Sequence, residues 1–109
     1  MSTSNPIARL NDAFRTSFNG GLILHTDGFA ALPDAVRAEI DAKVRAYDRF
    51  TPDNDPYGEH DFGAFDQPGA GKIFWKIDYC DEEVRLGSVD PADPSRTVRV
   101  LTIMLAEEY

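Results

Sequence analysis

The chain has 109 residues, 42% of them hydrophobic, with twelve aromatics and one cysteine. That is material for a single domain (1–109) with a modest core, and it excludes a disulfide framework, a multi-cysteine zinc site and a wholly disordered chain. The net charge of −8 lies entirely in residues 50–109, which hold five basic and thirteen acidic residues; such a field disfavours direct contact with nucleic acid or an anionic membrane.

Residues 1–4 have no apolar or basic run of the secretory kind and are expected to be disordered; the expected compartment is the cytoplasm. Asn5-Pro6 opens the first helix, as an N-cap and a residue suited to the first turn. Ile7, Leu10, Phe14 and Phe18 mark one apolar face, leaving Arg9, Asp12, Arg15 and Thr16 to solvent. Asn19-Gly20-Gly21 is the expected stop. Leu22–Thr26 reads as a short strand and Asp27-Gly28 as a turn. Pro33-Asp34 begins a second helix whose inner face is Val36, Ile40, Val44 and Tyr47. Arg37 with Asp41 and Asp41 with Arg45 stand at ion-pair spacing on its outer side. The helix must end before Thr51-Pro52.

Residues 61–66 read as a strand, bulged at Gly63 so that Phe62 and Phe65 share a face. Residues 67–71 make a turn. Lys72–Cys80 alternates cleanly, with Ile73, Trp75, Ile77 and Tyr79 on the core side. Residues 81–95 form a long polar loop. Thr97–Leu105 is apolar on both faces, as a central strand is. The fold class is therefore α+β, in two layers and the order α-β-α-β-β-β, with two helices on one face of a mainly antiparallel four-stranded sheet. Phe74, Leu101 and Ile103 are expected on the other face, which would favour a structural homodimer or a partner.

The stretch from Phe50 to Phe65 carries the densest chemistry. Asp53, Asp55 and Gly58 stand at positions 1, 3 and 6 of a calcium loop, and Asp61 at 9. Tyr57 at 5 and Ala64 at 12 break the pattern, so it is no such loop. A looser divalent site could use Asp53, Asp55, Glu59, His60 and Asp61, with His25 or Asp78 as a base in a metal-dependent hydrolase. Asp53-Asn54-Asp55-Pro56 equally suits a tight turn whose acids bind local N–H groups. His25 and His60 could form an acid–base pair with Asp61 or Asp78 if the first strand lay beside the hairpin; a structural role for each is simpler. Cys80, beside Asp81-Glu82-Glu83, is a poor thiolate. Trp75 alternates away from Lys72 and Lys76 and belongs to the core. Gly69-Ala70-Gly71-Lys72 is no phosphate loop.

Four runs carry a resemblance: residues 51–63 (TPDNDPYGEHDFG), 74–79 (FWKIDY), 90–94 (DPADP) and 99–106 (RVLTIMLA). With these the chain resembles the bacterial domain-of-unknown-function family 3768, from Ile7 to Tyr109; Cys80 stands where the resemblance implies a second aromatic. The resemblance implies a small protein carried on mobile elements of alphaproteobacteria, a setting in which proteins oppose host defence or maintain the element. It brings no catalytic residue. The expectation is a non-enzymatic, anti-defence interaction module without a cofactor. Its acidic rim of Asp53, Asp55, Glu59, Asp61, Asp81, Glu82, Glu83, Asp90 and Asp93 would engage a basic protein surface, such as that of a nucleic-acid-binding host factor.

Overall fold

A computed structural model describes residues 5–84 and 86–109; the expected disorder of residues 1–4 lies outside them. The elements are α1 (Pro6–Ser17), β1 (Gly21–His25), α2 (Asp27–Ala30), α3 (Asp34–Arg45), β2 (Phe62–Gln67), β3 (Gly71–Cys80), β4 (Val98–Leu105) and a 3-10 turn (Ala106–Glu108). The fold is α+β. Its sheet has the order β1-β4-β3-β2 and is mixed: β1 runs parallel to β4, and the other pairs are antiparallel. Among the described residues no helix is long and apolar enough to cross a membrane.

Asn5 caps α1, its side chain accepting from the N–H groups of Ile7 and Ala8. The helix ends one turn before the glycines. Phe18 itself takes the left-handed conformation, φ 60°, and returns its N–H to the Phe14 carbonyl. The buried side of α1 is rotated from the expected one: Ala8, Asn11, Phe14 and Arg15 are inside. Asn11 and Arg15 find partners there, so their polarity does not hold them in water.

Asp27-Gly28 is not a turn but the start of α2. Its cap comes from the far end of the chain: the Glu108 carboxylate accepts from the Gly28 N–H and the Thr26 hydroxyl. Along α3, Arg37 pairs with Asp34 rather than Asp41. Asp41 Oδ1 is enclosed without a hydrogen-bond partner among the described residues, and burial raises its carboxyl above the ordinary range.

The register of β2 on β3 is unbroken from Phe62↔Lys76 to Gln67↔Gly71, so there is no bulge at Gly63, and Phe62 and Phe65 do face opposite sides. Gly63 has another purpose. The Trp75 indole lies across it, and a Cβ there would clash with Nε1.

The core lies between the helices and one face of the sheet: Phe14, Phe29, Ile40 and Val44 against Ile73, Trp75, Ile77, Leu101 and Ile103. Each such large apolar side chain stabilises the fold by about 1.5–3 kcal/mol. Leu101 and Ile103 thus lie on the helix side, against expectation, because they pair directly with Ile77 and Trp75. Phe74 does lie on the open face, opposite Met104. Tyr109 covers part of that face, its ring packed on Phe62 and Phe74. Leu22 and Leu24 stay about half exposed at the β1 edge.

Candidate functional site

Both acidic loops stand at one end of the sheet, where β3 finishes and β2 and β4 begin. The first, residues 46–61, starts as a knot of local bonds. Thr51 and Asn54 exchange side chain-to-backbone bonds, and the Asp55 N–H reaches the Thr51 carbonyl. Asp55, its side chain 6% exposed, then accepts from the N–H groups of Glu59 and His60. Those two bonds hold His60 in the left-handed region at φ 56°, uncommon for a residue with a Cβ.

His60 is bound on three sides. Its ring stacks on Phe50 with centroids 3.9 Å apart. Nδ1 lies 3.0 Å from both Asp12 oxygens, and Nε2 lies 3.7 Å from Asp55. Asp12 also pairs with Arg15 at 2.9 Å. Arg15, 3% exposed, donates to the Val44 and Tyr47 carbonyls and lies over the Phe50 and Trp75 rings. It ties the C-terminal end of α3, where a cation is favoured, to α1 and the loop. With a carboxylate facing each ring nitrogen of His60, the arrangement suits a structural clamp better than proton transfer to a substrate.

A second set of bonds runs deeper. Asn11 is fully buried and donates to the Glu59 carbonyl and the Tyr79 hydroxyl. Tyr79 donates in turn to the Glu59 carboxylate at 2.7 Å. Arg99, 4% exposed, donates to the Asn11 side-chain oxygen and to the Pro91 carbonyl. Burial, and next the bond to Glu59, push the Tyr79 phenol far above its ordinary value. Burial lowers the Arg99 guanidinium against the pull of Tyr79 and Glu59. Asp61 is half-buried, and burial followed by the charge of Glu59 raises its carboxyl.

The nine rim acids therefore divide. Asp55 and Glu59 are turned inward, and Asp61 is partly enclosed. Asp53, Glu82, Glu83 and Asp90 are exposed, with Asp81 and Asp93 half-buried beside them. The alternative metal set does not converge: Asp55 faces backbone N–H groups, Glu59 faces Tyr79 and His60 faces Asp12. Among the described residues no three His, Cys, Asp or Glu side chains are placed to hold a metal ion. The two histidines do not meet. His25 ends β1 at one edge of the sheet and packs on Phe29, whereas His60 precedes β2 at the other. Asp78 pairs with Lys76.

Sequence reasoning missed Asn11, Asp12, Arg15, Tyr79 and Arg99 as parts of this assembly. One signal was available: Arg99 is the lone charge inside the largely apolar strand β4.

The model of the family described as protein of unknown function (DUF3768) matches residues 25–108. The match takes in both loops and the whole of β2 to β4, while α1, with Asn11, Asp12 and Arg15, precedes it. No curated protein and no solved structure matches the chain.

Proposed function

The chain belongs to the DUF3768 family, and as that membership carries no activity we propose that the protein is a non-enzymatic binding module whose acidic end engages a basic protein surface. The reading rests on one observation. Exposed Asp53, Glu82, Glu83 and Asp90 stand at the same end of the sheet as Tyr57, Leu86 and Val89, which are 82%, 73% and 80% exposed. Carboxylates interspersed with uncovered apolar side chains are what a partner of opposite charge would desolvate and grip. Such a row imitates the charge of a phosphate backbone, so the inferred partner is a cytoplasmic nucleic-acid-binding protein. The resemblance to proteins of mobile elements supports a host defence factor in that role.

The test is capture from a host lysate at low and high salt. It uses the native chain and a variant carrying Glu82→Gln, Glu83→Gln, Asp90→Asn and Asp93→Asn. A partner held by the native chain at low salt, released at high salt and lost by the variant supports the reading. A partner held equally by the variant sinks it.

A further inference from the structure

The β2 edge borders a groove of about 620 Å³ beneath the C-terminal end of α3. Tyr47 and Phe65 give it an apolar part, and Lys43, Arg49 and Lys72 line it. In a chain of net charge −8, three cations gathered in one groove call for a reason. Arg49 has no side-chain ion pair or hydrogen bond among the described residues. Lys43 bonds the neutral Gln67 amide at 2.7 Å and lies over the Phe65 ring, with no carboxylate in either contact. Lys72 meets Asp66 at 3.6 Å with both side chains largely exposed, a contact worth little. Asp48 and Asp66 also line the groove and leave it with a small positive excess.

The strand beside this groove is an open template. The Ile77 N–H bonds the Asp61 carbonyl, which makes Asp61 and Ile77 a bonded pair of the antiparallel ladder. By the two-residue alternation, Gly63, Phe65 and Gln67 are also bonded to β3, while the N–H and C=O groups of Phe62, Ala64 and Asp66 point away from the sheet. β2 carries no proline and no bulge, the usual devices that blunt an edge.

We propose that this edge accepts an extended segment of another protein, with acidic residues at alternate positions, as an added strand. Backbone bonds to Ala64 and Asp66 would set its register. Alternation would place every second side chain toward α3, where its carboxylates meet Lys43 and Arg49 and its stem packs on Tyr47 and Phe65. A second copy of this chain is the poorer occupant. Its own β2 carries only Asp66 as a charge, so it offers the edge no run of alternate carboxylates. None of the exposed acids Asp53, Glu82, Glu83 and Asp90 lines this groove.

The experiment is hydrogen exchange and fluorescence titration of the whole protein with a synthetic peptide of alternating glutamate and valine. The expected result is slowed exchange of the Ala64 and Asp66 amides, which lie outside the β3 ladder, with the other β2 amides unchanged. Ala64→Pro removes an outward N–H at an edge position where proline is tolerated, and binding should be lost. Arg49→Glu should weaken it several-fold. Should Ala64→Pro fail to fold, a backbone N-methylated peptide puts the same question to the unaltered protein and must not bind. Equal binding of the methylated peptide, of a lysine–valine peptide, or to Ala64→Pro overturns the proposal. So does concentration-dependent protection of the two amides without peptide, which would assign the edge to a second copy.

Discussion

The two acidic loops, residues 46–61 and 81–97, are alike in composition and opposite in construction. Both are polar and carry prolines, and both sit at one end of the sheet. The first is bonded across the fold. Asn5 reaches the Gly58 carbonyl, Asn11 reaches Glu59 and Asp12 reaches His60, over 53, 48 and 48 residues of chain. Among the described residues, the second shows short-range bonds: Asp90 to Ala92, Asp93 to Ser95, and Ser88 to Thr97, nine residues apart. Arg99 on the Pro91 carbonyl fastens it to the core. The difference is α1. Where that helix lays polar side chains over the loop, the acids become parts of the scaffold. Where no helix overlies them, they remain surface charge.

The sharpest way to break this contrast is at Asn11. Asn11→Ala leaves Arg99, Tyr79 and the Glu59 carbonyl each short of a bond in a buried site, and should cost about 3 kcal/mol. Urea unfolding would read it as a lower midpoint at unchanged slope; a loss under about 1 kcal/mol would mean that the first loop is not anchored this way. Next comes Asp55→Ala, which frees two half-buried N–H groups and the left-handed His60 turn; about 2 kcal/mol is expected. Asp55→Asn retains an acceptor oxygen and should recover part of that.

Tyr79 gives a smaller effect that appears only with pH. Its phenol is raised above the usual 10.0, so the folded state keeps a proton that the unfolded chain releases. The contribution is complete below about pH 10 and falls away as pH climbs toward the folded value. Melting temperature should therefore drop more steeply above pH 10 in the native protein than in Tyr79→Phe. Parallel alkaline slopes would show that the phenol is not held protonated by the fold.

Much of this architecture is legible in local pattern, and the exceptions share a cause. β3 alternates, and its core side is read correctly. β4 is apolar on both faces, so only its pairing with Ile77 and Trp75 decides where Leu101 and Ile103 go. The helical period of α1 is plain, but its buried side includes Asn11 and Arg15, and a polar residue on a helix reads as solvated until its partners are known. Those partners are the Glu59 carbonyl and the Val44 and Tyr47 carbonyls, from distant segments. α2 is hidden for the same reason, since its cap is Glu108, some 80 residues away. In the first loop the density of acids was evident, and their inward direction was not.

The smallest effect is expected at Asp93, and it completes the contrast. Its carboxylate accepts from the Ser95 N–H and hydroxyl, and those bonds hold its proton affinity below the ordinary range. A depressed acid adds stability above its unfolded value and loses it as pH falls through the folded one. Here the group sits at the surface and is partly open to water, so water and salt screen the benefit, and the bonds reach only two residues along the chain. Asp93→Asn should leave the urea midpoint at neutral pH where it was, while weakening a low-salt complex with a basic partner. Suppose instead that Asp93→Asn unfolds the protein as readily as Asp55→Asn. The second loop would then be scaffold like the first, and the outward acids would no longer be free to serve as a binding surface.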